Sequence, residues 1–237
     1  MRRLISVVTI TFTWSIMAAP AWDRPLMAQE PAAHENPPIP AGKVVLVDEF
    51  TDPTSGWLVS DFPGGQQAYD NGEYRVVARA PGGPIRIGWR EQEVARDFVV
   101  EVDAWLPRGN EGESVTLGVR FVGARSGMPG GVMRFQVRPS EGRAWFGPNI
   151  WDGARWNHRP IVETADHPAI RRGSAVNRLG VKVHGSSYVA YVNGQEILHV
   201  DDGTFTGGGL VLGAAGPQGA DTEARFDNLV IRELSGE

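Results

Sequence analysis

The sequence has no cysteine. This absence excludes disulfide bonds, zinc sites built from thiolates and thiol catalysis. A domain without such cross-links depends on its apolar core, and about 190 residues in one β domain bury enough surface for that. Glycine, with 30 residues, and proline, with 17, are abundant instead and indicate a globular chain with many turns.

Strong charge of one sign is also lacking. The net charge is −5, and there is no long run of lysine and arginine. Binding a nucleic acid requires a concentrated basic surface, so the sequence argues against such a partner. The five histidines lack metal-ligand spacing, and the glycine-rich segments precede strands rather than helices. A histidine metal site and a phosphate-binding loop are therefore not expected.

The N-terminus has the pattern of a cleavable signal peptide. Arg2 and Arg3 precede an uncharged apolar stretch over residues 4–19, and small residues at 19 and 21 suit cleavage after Ala21, with a second possible site after Ala28. The stretch is short for a membrane span of about 20 residues, although a retained anchor is the main alternative. We predict an exported protein, periplasmic or extracellular, with no membrane span after cleavage.

A proline-rich leader follows the predicted signal. Residues 22–42 contain five prolines and no hydrophobic periodicity, which is typical of a flexible, extended spacer. From Lys43 to residue 237, apolar and polar residues alternate with period two, and Gly, Asn or Pro interrupts the pattern about every 8 to 15 residues. The pattern predicts a single all-β domain, an antiparallel β-sandwich of two packed sheets with almost no helix.

Several segments of this domain resemble one known family. They are residues 48–57 (DEFTDPTSGW), 71–75 (NGEYR), 177–183 (NRLGVKV), 191–195 (YVNGQ) and 225–230 (RFDNLV). In this order they resemble the bacterial concanavalin A-like, or laminin-G-like, domains, a group that includes the 3-keto-disaccharide hydrolase domain. The resemblance implies a jelly-roll sandwich. It does not select a function, because this scaffold carries lectins, glycosidases, lyases and adhesive modules.

A polar sheet face is the first candidate site. If the apolar members of strands 97–105, 114–122 and 131–138 face the core, the alternating residues share the opposite face. They are Glu101, Asp103, Trp105, Arg120, Arg134, Gln136 and Arg138. Simple hairpin registers place Arg120 near Arg134, and Gln136 near Trp145. The resemblance implies sugar binding on the concave sheet, whereas the alternative is an ordinary solvated face.

An aromatic loop is the second candidate site. Residues 147–163 are interpreted as a long loop, and Trp151 and Trp156 within it are candidates for stacking on sugar rings. The alternative is that both indoles only cover the edge of the core. Together with the polar face, the loop predicts carbohydrate binding by Glu101, Asp103, Arg120, Arg134, Gln136, Trp145, Trp151 and Trp156.

Two further candidates concern carboxylates. The segment Glu101-Val102-Asp103 resembles the Glu-x-Asp-x-x-Glu strand of laminarinase-like hydrolases, but Leu106 stands at the third carboxylate position and argues against that mechanism. Asp48, on the opening strand, and Asp227, on the closing strand, are candidates for one structural calcium ion. The alternative for Asp227 is hydrogen bonding to the neighbouring turn.

The sequence thus favours a secreted, non-catalytic carbohydrate-binding module whose partner is an oligo- or polysaccharide, with no organic cofactor. One alternative is an enzyme, either a glycoside hydrolase or a 3-keto-glycoside-cleaving protein. The other is a structural or adhesion domain that binds protein through a sheet edge.

Overall fold

The chain folds almost entirely into antiparallel strands, in agreement with the prediction of an all-β sandwich. The computed structural model describes residues 42–80, 85–90, 94–123 and 130–234. The predicted signal peptide and all but the last residue of the predicted leader lie outside these residues, so both remain predictions. No helix in the described segments is long and apolar enough to cross a membrane.

One sheet, sheet A, contains nine strands. Eight are hydrogen-bonded in the order β14-β13-β12-β6-β16-β4-β3-β2, and β1 pairs with the far end of β16. Its strands are β1 (Lys43–Asp48), β2 (Ser60–Phe62), β3 (Gly65–Asp70), β4 (Glu73–Ala78), β6 (Phe98–Trp105), β12 (Asn177–His184), β13 (Ser187–Val192), β14 (Gln195–Asp201) and β16 (Thr222–Glu233).

The other sheet, sheet B, contains seven strands. Its order is β10-β9-β8-β7-β15-β5, and β11 also pairs with β9. Its strands are β5 (Ile85–Arg90), β7 (Ser114–Val122), β8 (Gly131–Arg138), β9 (Arg143–Trp151), β10 (Trp156–His158), β11 (Val162–Thr164) and β15 (Gly209–Ala215). A short 3₁₀ helix, Pro139–Glu141, lies between β8 and β9.

The core lies between the two sheets. Val100 and Val102 on β6 face it from sheet A, and Leu117 and Phe135 face it from sheet B, all four fully buried. Period-two alternation places these side chains inside and their neighbours outside. Each buried apolar side chain of this size stabilises the fold by about 1.5–3 kcal/mol relative to exposure.

The Asn-Gly dipeptide at 193–194 forms the turn between β13 and β14. Asn193 has φ 51° and Gly194 φ 81°, as a tight hairpin turn requires. The Asn193 amide also accepts a hydrogen bond from the Arg178 backbone (2.9 Å) and donates one to the Ala169 carbonyl (2.7 Å). This motif residue therefore has a structural role.

The aromatic segment 147–163 is mostly strand, so its interpretation as a long loop is wrong. Residues up to Trp151 continue β9, and β10 and β11 return along the same strand as two short edge strands. Asp152 holds the intervening turn, because its carboxylate accepts hydrogen bonds from the backbone of Ala154 and Arg155, both at 2.9 Å. The Asn157 side chain donates a further hydrogen bond to it (2.7 Å).

Candidate functional site

The outer face of sheet B, turned away from the core, combines polar and aromatic side chains. Its members come from four neighbouring strands, and the strand registers fix which residues lie beside one another. They are Ser114 and Thr116 on β7, Arg134, Gln136 and Arg138 on β8, Trp145, Asn149 and Trp151 on β9, and Trp156 and His158 on β10. We call this set the sheet B face.

Arg134 lies at the centre of the sheet B face. Its neighbours across the ladders are glycines on both sides, Gly118 on β7 and Gly147 on β9. The residue is 4% exposed, yet it has no hydrogen bond or ion pair with any described residue, and its Nε is shielded from solvent. Desolvation lowers the pKa of Arg134 to about 10, so the guanidinium remains charged at neutral pH.

His158 borders Arg134 from β10. It pairs with Asn149 across β9, which places it on the same face. Desolvation, and then the positive charge of Arg134, lower the pKa of His158 to about 4. The imidazole is therefore neutral at pH 7, and the charge at the centre of the face is that of Arg134.

Two amides beside Arg134 also have unpaired polar atoms. Gln136 donates a hydrogen bond to the Ser114 hydroxyl, but its Oε1 is buried without a partner among the described residues. The Oδ1 of Asn149 is likewise buried and unpaired within that part of the chain. Buried polar atoms in folded proteins are normally satisfied, so such a group marks a place where a partner is missing.

Tryptophans lie at both ends of a row of side chains that runs from Trp145 through Gln136 and Arg134 to Trp151 and Trp156. Trp145 pairs with Gln136, and the Arg138 guanidinium lies 5.0 Å from its ring centroid. At the other end Trp151 and Trp156 face each other across β9 and β10 with ring centroids 5.7 Å apart and planes tilted by 56°. Trp145 and Trp151 are six residues apart on one strand, which is about 20 Å of extended chain.

Gly147 allows the edge segment to lie close to β9. A Cβ at this position would be 2.2 Å from the carbonyl oxygen of Arg159 and 2.8 Å from the Ile161 nitrogen. Any larger residue would therefore displace the segment that follows His158. The backbone of residues 159–161 therefore fills the space over this cross-strand neighbour of Arg134.

The predicted place of Arg120 is wrong. Arg120 has φ 56° and occupies a β-bulge, where the register of β7 with β8 shifts between Val119 and Val122. The extra residue reverses the alternation, so Arg120 turns inward and Phe121 turns outward. The Arg120 guanidinium donates to the Tyr188 hydroxyl (2.7 Å) and to carbonyl groups of residues 96, 185 and 205. It ties the two sheets together and does not share a face with Arg134.

The predicted association of Glu101 and Asp103 with Arg134 is also wrong. Both carboxylates belong to β6, which is a central strand of sheet A, whereas Arg134 belongs to sheet B. They lie on the outer face of sheet A, where Arg178 contacts both (3.6 Å and 3.3 Å) and Arg232 contacts Glu101. The sandwich therefore separates the predicted set into two opposite faces.

Asp48 and Asp227 do not converge on a common cation site. Asp48 pairs with the buried Leu229 and is 5% exposed, and its oxygens accept hydrogen bonds from the Phe50 backbone, the Ser55 hydroxyl and the Trp57 indole. Asp227 pairs with Asp103 on the outer face of sheet A. The described residues contain no group of three or more metal-ligating side chains. The two carboxylates therefore do not fit one shared calcium ion.

Asp227 hydrogen-bonds to the Asn228 backbone at 2.7 Å, which agrees with the structural alternative. Desolvation is the main cause that raises its pKa, and the neighbouring carboxylates of Asp103, Glu73 and Glu49 raise it further.

A cavity of about 260 Å³ lies away from the sheet B face. Its walls are mostly apolar and come from β1, β5, β15 and β16; they include Val45, Leu46, Val94, Leu210 and Ile231. None of the described residues that line it has the unpaired buried polar atoms found on the sheet B face.

The predicted site residues do not include His158 and Asn149, which the structure places beside Arg134. The alternation over residues 145–151 was a usable signal, because it continues past Gly147 and carries Asn149 and Trp151 on the Trp145 side. The segment was interpreted as a loop because its glycine and proline residues suggested breaks. Placing His158 additionally requires the return strand β10, which only the tertiary structure shows.

No family model matches the chain, and no curated protein matches it. Solved structures do. The carbohydrate-binding module CBM66 from Bacillus subtilis has 16% identity and a TM-score of 0.56, covering 75% of this chain and 96% of that one. A Bacillus licheniformis β-glucanase has 14% identity and a TM-score of 0.57, covering 83% and 100%. A GlcNAcα1-4Gal-releasing endo-β-galactosidase from Clostridium perfringens has 13% identity and a TM-score of 0.56, covering 85% and 66%.

These similarities establish the fold, a concanavalin A-like jelly-roll sandwich, as the sequence resemblance implied. The similar structures include both a binding module and glycoside hydrolases. At 13–16% identity they do not decide between binding and catalysis in this chain.

Proposed function

We propose that this protein is an exported, non-catalytic carbohydrate-binding module and that its sheet B face binds the glycan. The observation that carries the proposal is the row formed by Trp145, Arg134 with Gln136, and the Trp151–Trp156 pair. Indole rings stack on the apolar faces of sugars, and arginine and amide groups hydrogen-bond to hydroxyls. The row matches the chemistry of an extended oligosaccharide, which presents both.

The scarcity of carboxylates among the described strand residues on the outer side of sheet B supports binding rather than hydrolysis. Glycosidases of the usual kind need two carboxyl groups that flank the scissile bond. Among the described strand residues that the registers place on this face, Glu163 is the one carboxylate, and it forms an ion pair with Arg143. Export is inferred from the N-terminal pattern of the sequence.

A glycan array tests the proposal. The wild-type protein should bind a restricted set of glycans, and W151A should lose about five- to thirtyfold in affinity because it removes a stacking surface worth about 1–2 kcal/mol. The matched control is the double variant E101Q/D103N on sheet A, which should bind like the wild type. Each variant is first checked for an unchanged melting temperature.

Two results would contradict the proposal. One is a wild-type protein that binds no glycan on a broad array. The other is release of reducing ends from a bound polysaccharide, which would identify an enzyme instead of a binding module.

A further inference from the structure

Arg134 differs from the other two arginines on the outer side of β8 and β9. Arg138 forms an ion pair with Glu141 at 3.0 Å, and Arg143 forms one with Glu163. Arg134 is more buried than either and has no counter-charge among the described residues. The most desolvated cation of this face is therefore the unpaired one.

An unpaired buried cation destabilises a fold unless a partner compensates it. Neutral sugar hydroxyls replace water at such a group but do not neutralise its charge. An anionic group on the ligand does both. Both cross-strand neighbours of Arg134 are glycines and supply no counter-charge. Val132 and Val211 fill the space over Gly118, and the backbone of residues 159–161 fills the space over Gly147, so the counter-charge is left to the ligand.

The geometry of Arg134 favours a carboxylate over other anions. Its Nε is shielded, whereas its two Nη nitrogens keep contact with solvent, so the open part of the group is its Nη edge. Two parallel N–H donors match the two oxygens of a planar carboxylate. Because His158 stays neutral at pH 7 and Arg138 is paired with Glu141, the centre of the face presents one unpaired positive charge, which suits a singly charged group rather than a phosphate dianion.

From this we infer that Arg134 is a specificity-determining residue that pairs with the carboxylate of an acidic sugar, so that the ligand class is a uronate-containing glycan. The inference rests on the proposed function and names its ligand. The carboxylate meets the Nη edge of Arg134, and the adjoining sugar rings extend along β9 toward Trp145 and toward the Trp151–Trp156 pair.

The test uses affinity gel electrophoresis with the purified protein, against polygalacturonate and alginate and against the same two polymers after carboxyl reduction. Wild-type protein should bind at least one of the acidic polymers about ten- to a hundredfold more tightly than its reduced form. R134M should lose that preference. R134K, which keeps the charge but not the paired donors, should retain part of it. R75M removes one cation from sheet A and should bind like the wild type.

Each other outcome overturns the inference in a distinguishable way. Binding of neutral glycans that depends on Trp151 but not on Arg134 would leave the proposed function intact and refute the acidic ligand. Arg134-dependent binding of a sulfated polymer without uronate, such as dextran sulfate, in place of the uronates would refute the carboxylate. Failure to bind any glycan would refute the proposed function itself.

Discussion

Arg120 and Arg134 are only 2% and 4% exposed, but their surroundings are opposite. Arg120 donates hydrogen bonds to one hydroxyl and three carbonyl oxygens, whereas Arg134 donates none to the described residues. Removal of a buried charge that donates several hydrogen bonds destabilises a fold, because it leaves the acceptors unsatisfied. A buried charge without partners is retained at a cost to stability, as binding groups often are.

This contrast predicts opposite effects of the same substitution. R120M should lower the free energy of unfolding by about 3 kcal/mol, because it leaves the carbonyls of residues 96 and 185 without this donor and the Tyr188 hydroxyl with only its bond to the Phe205 carbonyl. R134M should leave that free energy unchanged or raise it. Urea denaturation of the two variants beside the wild type measures both. A large loss in R134M would show that Arg134 has a structural partner and would remove the basis for its binding role.

His158 reports on the charge of Arg134. Desolvation is the larger cause of its lowered pKa of about 4, and the Arg134 charge is the smaller one. In R134M the second cause disappears, so the pKa of His158 should rise but stay below the ordinary value of about 6.5. NMR titration of the imidazole carbon protons measures this value. An unchanged pKa in R134M would show that the two groups do not interact.

At the scale of elements, the β9–β10 hairpin sets the geometry of the aromatic end of the site. The Asp152 carboxylate stabilises its turn by accepting three hydrogen bonds. These bonds lower the pKa of Asp152 to about 2, and the bond from the Arg155 backbone is the largest cause. The carboxylate form therefore favours the ordered turn. Its contribution is complete above the unfolded pKa near 3.9 and is lost as the pH falls through about 2.

The hairpin predicts a spectroscopic signature. Trp151 and Trp156, with centroids 5.7 Å apart, should give an exciton couplet in far-ultraviolet circular dichroism. D152N should weaken this couplet already at pH 7, because the amide accepts fewer strong hydrogen bonds from the turn. D166N, which changes an exposed ion pair with Arg172, is the matched control. A couplet of full size in D152N would show that the turn does not depend on the carboxylate.

The elements also show how far the sequence predicts this structure. Alternation predicts the correct face for Val100 on β6 and for Phe135 on β8, both of which lie in the core. It failed at Arg120, because a single inserted residue reverses the two faces and period-two patterns do not reveal a bulge. Gly208 is a weak sequence signal of this bulge. A Cβ at position 208 would lie 2.3 Å from the Phe121 carbonyl oxygen, so the bulge requires a glycine there.

At the scale of the whole molecule, the assignment of strands to sheets was beyond the sequence. Glu101, Asp103, Arg134 and Gln136 all alternate correctly with core residues, and each lies on an outer face. Two packed sheets have two outer faces, however, and local periodicity does not distinguish them. The long-range pairing of β6 with β12 and β16 determines which outer face the carboxylates occupy. It places Glu101 and Asp103 on sheet A, on the opposite side of the sandwich from Arg134.

The division into two faces separates ion-paired arginines on sheet A from the unpaired Arg134 on sheet B. On sheet A, Arg225 contacts Asp70, Glu73 and Glu223, and Arg178 contacts Glu101 and Asp103. On sheet B, Arg134 remains without a counter-charge within the described chain. The site of recognition is therefore expected on sheet B alone.

The most direct measurement is NMR amide chemical-shift mapping with the oligosaccharide that gives the strongest array signal. We predict shifts confined to β7, β8, β9 and β10, largest around Arg134, Trp145 and Trp151, together with the indole signals of Trp151 and Trp156. Shifts centred on Glu101 and Asp103 of sheet A, with the sheet B signals unmoved, would contradict the central claim that the sheet B face is the binding site.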